Sequence, residues 1–454
     1  MPHDYRQDIT QHEQELALAR QQNDRHAEAE ALSKLGTAYY MVDESSHALD
    51  CYQQAILIAR ELDDKPLETD QLLNFGRFYW RSKDYDQSLQ YDIQALSLAR
   101  QITDRKRERI ILGSLGTVHS FRHDFAEALH CRLQALEIAR EIGDQDSIGQ
   151  SLVSVGSAYN ALGEHQRAIQ FYEESLAINR LLGSRYWESR DLSMLAGVYH
   201  QMGNNQKAID LYNEGIIIAR EIDNLRFLMG HLNGLGYAYF FSTDNERAKH
   251  CFEEALQIAR EHGDRRFEAQ QLHNLALVSN ARKDRDVAIG HYRQALAIVR
   301  ERGDQREVAS TLNQLALSYF SAGDHQQALN LHMQALELSR QIGDRDGEHH
   351  ILYSLGGMYK QLGNWEEAIA YYKQALAATT EDSDQSLYAF CFSTLGDLYA
   401  ELDDLALALD YYQQALSIFV AKKYEQFIAP LNQKIDNLRR KLDDDAQGDE
   451  PKNA

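Results

Sequence analysis

Arginine recurs every forty residues along most of this 454-residue chain, each time after a helix-like segment such as ALSLAR or ALQIAR. The nine positions are Arg20, Arg60, Arg100, Arg140, Arg180, Arg220, Arg260, Arg300 and Arg340. A fixed period over most of a chain indicates one structural unit that was copied, and a single unit cannot bury a core alone. The sequence therefore predicts a solenoid of stacked units, whose function lies on its surfaces rather than in a catalytic pocket.

The composition predicts helices throughout. Only four prolines occur, and apolar residues recur every three or four positions instead of alternating. The formal net charge of −22 argues against nucleic acid and anionic membrane surfaces as partners, because such partners attract clustered Lys and Arg. The first residues contain no apolar signal core, and no run approaches the roughly 20 apolar residues that a spanning helix needs. We expect a cytoplasmic protein.

Each unit reads as two helices that pack through small residues. Within residues 31–64, the positions that carry this pattern are Leu32, Leu35, Gly36 and Tyr39 in the first helix and Ala48, Tyr52 and Ala55 in the second. Across ten units, the Gly36 position is Gly in seven and Ala in three, and the Ala48 position is Ala in nine. Small residues let two helices approach closely, while Tyr and Leu fill the space beside them. These positions resemble those that define the tetratricopeptide repeat (TPR).

The resemblance to the TPR family covers nearly the whole chain. The forty-residue unit is similar to the arrays of Pins-type spindle-orientation adaptors and of bacterial regulatory TPR proteins. It implies an all-α fold, a right-handed superhelical α-solenoid of about ten TPR helix pairs with capping helices at both termini. It also implies that an extended peptide or another protein binds in a concave groove. Nothing in the chain resembles the GoLoco motifs that follow the Pins-type array.

The repeat register gives the boundaries. We expect a capping half-repeat, ten TPR units, a closing helix and a disordered acidic tail, at residues 1–24, 25–424, 425–442 and 443–454. Pro430 suits the first turn of the closing helix. Glycines such as Gly163 end the first helix of a unit, and a Gly-Asp pair ends the second helix and caps the next one. The periodic arginine lies in the last turn of the second helix near that Asp, so its predicted role is structural.

No motif in the chain predicts chemistry. The sequences GxxxxGK[ST], HExxH, CxxC and GxSxG are all absent. His119 and His123 have a metal-compatible spacing, but they replace the Tyr and the turn Gly of their repeat. The pair His349-His350 has no third ligand nearby in sequence. Three of the four cysteines share one repeat position, too far apart for disulfides, and all four are interpreted as core residues. We expect no enzyme activity, cofactor or metal site.

The first helices should line the inner face of the array. Six positions of each unit give sixty candidates, of which only nine are charged, and their net charge is +1 in a protein of −22. The inner face is therefore polar, small and aromatic, with amides that can pair with a peptide backbone and aromatic residues that can anchor it. The candidate partner-binding residues are Asn74, Arg77, Trp80, Arg81, Ser114, Thr117, Ser157, Asn160, Arg190, His200, Asn233, Tyr237, Phe240, Asn274, Asn280 and Asn313.

Three functions remain open at this point. The first is a non-enzymatic scaffold or adaptor that holds an extended, neutral-to-acidic segment of a partner protein along the inner face. The second is a peptide-sensing regulator whose superhelix becomes more compact when it binds a signal peptide. The third is a self-assembling array, in which the acidic tail or an edge contacts another copy of the chain.

Overall fold

The computed structural model describes residues 5–378, 385–422 and 424–448, and every regular element in these ranges is an α-helix. The all-α fold class is confirmed. In chain order the helices are α1 (Tyr5–Gln21), α2 (Arg25–Met41), α3 (Ser45–Glu61), α4 (Lys65–Arg81), α5 (Tyr85–Gln101), α6 (Arg105–Phe121), α7 (Phe125–Ile142), α8 (Gln145–Ala161), α9 (His165–Leu181), α10 (Arg185–Gln201), α11 (Asn205–Glu221), α12 (Leu225–Phe241), α13 (Asn245–Glu261), α14 (Arg265–Ala281), α15 (Arg285–Arg302), α16 (Gln305–Ser321), α17 (His325–Gln341), α18 (Arg345–Gln361), α19 (Trp365–Ala378), α20 (Gln385–Glu401), α21 (Leu405–Ala421) and α22 (Glu425–Gly448).

The helices belong to two compact units, Met1–Ala238 and Tyr239–Ala454, and the division falls within α12. In the first unit, each even-numbered helix from α2 to α10 packs against the odd-numbered helices on both sides of it. The second unit has the same consecutive pairs from α13 to α22. Neighbouring even-numbered helices also contact each other directly, as α2 contacts α4 and α4 contacts α6. The even-numbered helices are the predicted first helices, and we call their exposed surface the first-helix face.

One left-handed residue in each turn lets the chain reverse between helices. Nine glycines of the described chain have positive φ, including Gly163 at 76°, which confirms the predicted role of the turn glycines. Elsewhere a non-glycine residue takes this conformation, as Lys283 does at 67°. After the turn, Asp264 caps the next helix by accepting a hydrogen bond from the backbone NH of Phe267 at 2.9 Å, whereas Asp144 makes no such bond. The predicted capping by the linker aspartate therefore holds only in part.

Small residues bring the paired helices close together, as predicted. A Cβ atom at Gly36 would lie 3.2 Å from the ring of Tyr52, and one at Gly156 would lie 2.8 Å from the ring of Tyr172. The tyrosine ring thus fills the space beside the glycine, and the hydroxyl of Tyr52 lies 2.7 Å from Thr37 Oγ1. Because protein interiors are close-packed, this ring fixes the spacing of the two helices in these pairs.

Six of the nine periodic arginines join consecutive repeats, but through a different partner from the predicted one. Arg20 Nε donates to Glu28 Oε1 at 2.8 Å, and Arg100 Nε donates to Glu108 Oε1 at the same distance. The partner is therefore a glutamate in the first turn of the next first helix rather than the linker aspartate. A carboxylate in that turn lies near the positive end of its helix dipole and faces the end of the preceding helix. The predicted structural role is consistent with this contact.

The closing helix differs from its prediction in two respects. It begins at Glu425, so Pro430 lies inside the helix rather than in its first turn. It also continues to Gly448, so residues 443–448 are helical instead of belonging to the predicted tail. Leu438 is buried in a core cluster that α22 shares with α21, and this burial stabilises the helix on the far side of the proline. Residues 449–454 of the predicted tail lie outside the described residues.

The remaining fold-level predictions concern membranes and thiols. No helix in the described ranges has the length and hydropathy that crossing a membrane requires. Cys51, Cys251 and Cys391 are buried and unbridged, and burial raises the pKa of the Cys51 thiol to about 11. A thiol with such a pKa remains protonated at neutral pH and behaves as a small core residue, as predicted.

A candidate ligand-binding face on the first helices

Five of the predicted partner-binding residues meet between α4 and α6. Arg77, Trp80 and Arg81 lie on α4, and Ser114 and Thr117 lie on α6. Together they line a recess of about 350 Å³, which we call the α4–α6 recess. Because α4 and α6 are neighbouring first helices, side chains one repeat apart face each other across this gap. Guanidinium groups, an indole ring and hydroxyls give the recess hydrogen-bond donors and one apolar wall.

Asn74 lies one turn before Arg77 but does not line the recess. Its side-chain amide donates to Ser33 Oγ of α2 at 3.0 Å, and its Oδ1 accepts a hydrogen bond from Arg77 at 3.4 Å. Both polar groups of this amide therefore contact protein atoms. Asn74 joins α2 to α4 and positions Arg77, so its part in binding would be indirect.

Ser157 and Asn160 on α8 are half-buried and bonded within their own repeat. Ser157 Oγ donates to the carbonyl oxygen of Val153 at 2.9 Å and lies 3.0 Å from the hydroxyl of Tyr172. Asn160 Oδ1 lies 2.8 Å from His165 Nδ1. These contacts connect the first helix to the second helix of the same repeat. The side-chain oxygens of Ser157 and Asn160, which were predicted to bind a ligand, are thus engaged within their own repeat.

Arg190 on α10 is neutralised by its neighbours. Its Nη2 donates to Asp191 Oδ1 at 2.8 Å, and its guanidinium carbon lies 4.4 Å from the ring centroid of Trp187. Asp191 is fully buried and also accepts hydrogen bonds from Ser175 Oγ at 2.6 Å and from Asn179 Nδ2 at 2.7 Å. Loss of the arginine would leave a buried carboxylate without its cation, which is costly. The structure therefore gives Arg190 a place in a buried polar network, whereas the sequence predicts a partner-binding cation.

His200 and the predicted residues of α12 are also half-buried. His200 Nδ1 lies 2.7 Å from Asn205 Oδ1, a contact that links α10 to α11. Asn233, Tyr237 and Phe240 are spaced by four and three residues, which places them on one side of α12. Burial raises the pKa of the Tyr237 hydroxyl, so this group stays protonated at neutral pH.

Two of the three asparagines predicted in the second unit are buried. Asn274 and Asn313 are 2% and 6% exposed, so their assignment to an accessible face is corrected. Asn313 Nδ2 donates to Ser354 Oγ at 3.4 Å, and the half-buried Asn280 donates to Ser318 Oγ at 3.0 Å. Both bonds connect neighbouring first helices. The physical reason is that a closely packed layer of first helices uses its own amides to join consecutive repeats.

Sequence reasoning missed two arginines beside the α4–α6 recess. Arg109 of α6 and Arg132 of α7 line a second recess of about 220 Å³, which we call the α6–α8 recess because residues of α8 complete it. The two recesses share Ile110 and Gly113. A Cβ atom at Gly113 would meet no atom within 4 Å, so the surface between the recesses is open. Arg132 was missed because it belongs to a second helix, and only first-helix positions were considered.

A repeat position could have revealed this site. At the position of Tyr52, eight of ten repeats carry a ring, namely Tyr52, Tyr172, Tyr212, Phe252, Tyr292, His332, Tyr372 and Tyr412. The second and third repeats carry Asp92 and Arg132 there instead. Arg132 Nη1 donates to the carbonyl oxygen of Ser154 at 3.2 Å, and burial lowers the pKa of its guanidinium. Two charged residues in consecutive repeats thus replace the ring that fixes helix spacing elsewhere.

Asp92 of α5 is fully buried, and it contacts the α4–α6 recess through Ser114, one of the residues that line it. Its Oδ2 accepts a hydrogen bond from Ser114 Oγ at 2.7 Å, whereas its Oδ1 has no hydrogen-bond partner among the described residues. Burial raises the pKa of this carboxyl to about 7, although the hydrogen bond from Ser114 and the charge of Arg77 act in the opposite direction. The group is therefore partly neutral at physiological pH.

The arginines of the two recesses lack the carboxylate partners that neighbouring arginines have. On α6, for example, Arg107 binds Asp70 through two hydrogen bonds of 2.8 and 2.7 Å. In the described part of the chain, no carboxylate oxygen lies within 4.0 Å of the four lining arginines, Arg77, Arg81, Arg109 and Arg132. Four cations on one surface of an acidic protein make this an electropositive candidate for a binding site.

The histidines with metal-compatible spacing make ordinary protein contacts. His119 Nδ1 lies 3.6 Å from Asp124 Oδ2, and His349 Nδ1 lies 2.8 Å from the carbonyl oxygen of Ala375. Within the described ranges, no group of three or more His, Cys, Asp or Glu side chains has a geometry that could hold a metal ion.

Comparison with protein-family models identifies the family to which the chain belongs. The family model described as tetratricopeptide repeat matches six segments, at residues 68–141, 147–221, 227–301, 267–341, 307–381 and 348–419. The chain belongs to the tetratricopeptide repeat family. A second model, described as anaphase-promoting complex subunit 5, matches residues 3–69. No curated protein matched this TPR protein in sequence.

Solved structures share its fold. The apo form of the quorum sensor NprR from B. thuringiensis is 17% identical, with 80% of this chain and 100% of that chain covered and a TM-score of 0.54. A signal transduction ATPase with a tetratricopeptide repeat sensor from Pyrococcus horikoshii is 14% identical, with 90% and 65% covered and a TM-score of 0.52. BtubC from P. vanneervenii is 25% identical, with 47% and 90% covered and a TM-score of 0.43. At such values, the first two likenesses establish a shared fold and no more.

Proposed function

We propose that this TPR protein is a non-enzymatic scaffold or adaptor, which binds an extended, neutral-to-acidic segment of a partner protein on the first-helix face. The observation that carries the proposal is the α4–α6 recess. There Arg77 and Arg81, without carboxylate partners in the described chain, flank Trp80. Arginine and tryptophan are the side chains that most often anchor protein interfaces, because both combine an apolar surface with hydrogen-bond donors.

The dimensions of the recesses favour a peptide over a compact ligand. The two volumes of about 350 and 220 Å³ are each near or below the lower end of small-molecule pockets, which is about 300 Å³. They adjoin at Ile110 and Gly113, so a chain lying across α4, α6 and α8 could place consecutive side chains in both. The open surface over Gly113 would allow the backbone of that chain to approach closely.

Electrostatics favour a partner segment that is not basic. The protein carries a net charge of −22, which would repel an acidic partner at long range. Screening limits such repulsion to about 8 Å at physiological ionic strength. The four arginines, which have no carboxylate partner among the described residues, would act in direct contact. We therefore expect a neutral-to-acidic segment to bind this surface more tightly than a basic segment does.

A peptide-sensing regulator is the second candidate. The observation that favours it is the shared fold with NprR, a quorum sensor, at a TM-score of 0.54. Small-angle scattering distinguishes the two candidates, because a sensor should decrease its radius of gyration when a bound peptide is added. If the radius of gyration does not change when the protein is saturated with a peptide that it binds, the scaffold remains as the proposed function.

The proposed binding function can be tested by selecting random short peptides from a phage-displayed library on the wild-type protein. We expect Arg77→Glu/Arg81→Glu to lose the selected peptides, because two anchoring cations become repulsive anions. A matched control is Arg226→Glu/Arg266→Glu, which makes the same change of charge at two exposed arginines. Equal binding by both double variants, with helical circular dichroism intact, would remove the α4–α6 recess as the site.

A further inference from the structure

We propose that the α4–α6 and α6–α8 recesses form a paired subsite for acidic side chains of the bound segment. One carboxylate would lie between Arg77 and Arg81, and a second would lie between Arg109 and Arg132. The inference rests on the proposed peptide-binding function and adds its chemistry, which is a partner segment with neighbouring Glu or Asp residues.

Two repeats beside these recesses lack the ring that packs on the repeat glycine elsewhere. In the fourth repeat, the ring of Tyr172 packs 2.8 Å from a Cβ atom placed on Gly156. The equivalent glycines of the second and third repeats meet other groups: a Cβ at Gly76 would lie 2.5 Å from Asp92 Oδ1, and one at Gly116 would lie 2.8 Å from Arg132 Cγ. A carboxyl group or an aliphatic stem keeps the helices apart without filling the volume of a phenol. The α4–α6 recess lies between the second and third repeats, and the α6–α8 recess lies between the third and fourth, where Arg132 itself is a lining residue.

Among the described residues, no carboxylate forms an ion pair with the arginines of the recesses, although the buried and partly neutral Asp92 interacts electrostatically with Arg77. Asp70, a carboxylate on α4, is engaged by Arg107 through both oxygens. Asp144 at the start of α8 interacts electrostatically with Arg109, but its side chain already accepts a hydrogen bond from Ser147. A carboxylate ligand would supply the missing acceptor, and hydrogen bonds between charged groups are stronger than neutral ones.

Arg132 is the residue that most favours an anionic ligand. Its guanidinium is half-buried and its one hydrogen bond in the structure is to the backbone carbonyl of Ser154. Burying a cation without a counter-ion is unfavourable, and the lowered pKa of Arg132 reflects this burial. A carboxylate in the α6–α8 recess would turn this unfavourable charge into a charge-assisted pair, so ligand binding should also stabilise the fold.

The deciding variant is Arg132→Tyr, because it restores the residue found in the same position of six other repeats. The new ring should pack on Gly116, and its hydroxyl should reach Thr117, which is the counterpart of Thr37 beside Tyr52. We therefore expect Arg132→Tyr to fold and to close the α6–α8 recess. Arg109→Gln serves as a second variant. It removes a charge from the same recess and leaves the contact between the repeat glycine and the second helix unchanged.

The probe is a fluorescently labelled oligo-glutamate peptide, and its anisotropy is measured against a labelled oligo-glutamine peptide of equal length. We expect oligo-glutamate to bind the wild type more tightly, and Arg132→Tyr and Arg109→Gln each to weaken it by about tenfold or more, which corresponds to the loss of one charge-assisted contact. Arg266→Tyr is the control, because it removes one exposed arginine of the second unit.

Two outcomes would overturn the subsite: equal affinity of the wild type for the two peptides, or oligo-glutamate binding that both recess variants retain. Neither outcome would remove the proposed function, because peptides selected from the random library would still be lost in Arg77→Glu/Arg81→Glu. If that double variant also kept its selected peptides, the proposed function itself would fail, and the two failures are therefore distinguishable.

Discussion

Replacing Asp92 with asparagine removes a buried carboxyl group while keeping its size and shape. In the folded chain the pKa of this group is raised from 3.8 to about 7 by burial. Between these two values the folded chain holds a proton that the unfolded chain has released. The free energy of unfolding contributed by Asp92 is therefore greatest below pH 3.8 and falls as the pH rises through this window. The amide of the Asp92→Asn variant does not titrate, so it would have no such dependence.

The magnitude follows from the difference between the two pKa values. A difference of one in pKa is equivalent to about 1.36 kcal/mol, so the full difference sets an upper bound of about 4 kcal/mol on the change in the free energy of unfolding. On these values Asp92→Asn should increase the free energy of unfolding by about 2 kcal/mol near pH 5 and by about 4 kcal/mol near pH 9. The hydrogen bond from Ser114 Oγ can be kept, because the asparagine side-chain oxygen accepts in the place of Asp92 Oδ2.

The assay is urea unfolding of the wild type and Asp92→Asn at both pH values, followed by far-ultraviolet circular dichroism. Each variant is compared with the wild type at the same pH, so other titrating groups contribute equally to both. Asp146→Asn is the control, because Asp146 is an exposed carboxylate on α8 in the same unit. A midpoint difference between Asp92→Asn and wild type that is the same at both pH values would refute the reasoning. It would mean that Asp92 is ionised, or neutral, throughout the range.

Three further changes test how the repeats are held together, each by the midpoint of urea unfolding. Lys283→Gly should stabilise the protein by about 1 kcal/mol, because Lys283 has a φ of 67° that glycine adopts without strain; Lys283→Ala should bring no gain. Gly156→Leu should destabilise it by about 1–3 kcal/mol through overpacking against Tyr172, and an unchanged midpoint would contradict the close approach. Asp191→Ala should cost about 3–5 kcal/mol, because Arg190 would lose its buried counter-ion, and a small loss would show that Arg190 is solvated.

Much of the fold could be predicted because every repeat carries the same pattern of packing residues. A single glycine, such as Gly36, is weak evidence for a helix pair, but Gly or Ala in ten equivalent positions is strong. The partner of the periodic arginine was harder to predict. Arg20 pairs with Glu28, and such a contact depends on how one helix follows the next through the turn rather than on sequence separation. The end of the last helix at Gly448 was also not predicted from the acidic composition of residues 443–448.

The site was less predictable, because repeat register gives the face of a helix but not the contacts of each side chain. Asn274 and Asn313 occupy first-helix positions and are nevertheless buried. Arg190 occupies such a position as well, and its charge is balanced by the adjacent buried Asp191. Arg132, in contrast, belongs to a second helix and still borders the first-helix face, since its guanidinium extends to α8 and donates to the carbonyl oxygen of Ser154.

In a repeat array, a residue can be compared with those at the equivalent position of the other repeats, and a departure that reduces stability suggests a role in binding. Truncating a buried aromatic side chain commonly costs about 3–5 kcal/mol, so the ring beside the repeat glycine is favoured for stability alone. The second and third repeats nevertheless carry Asp92 and Arg132 at this position. Arg132 lines the α6–α8 recess, and Asp92 contacts Ser114 of the α4–α6 recess. Stability alone would favour tyrosine at both positions. The proposed carboxylate ligand would offset this cost at Arg132 by pairing with its guanidinium. Restoring tyrosine at these positions should therefore raise stability and lower affinity together, and a variant that gained stability without losing affinity would break this link.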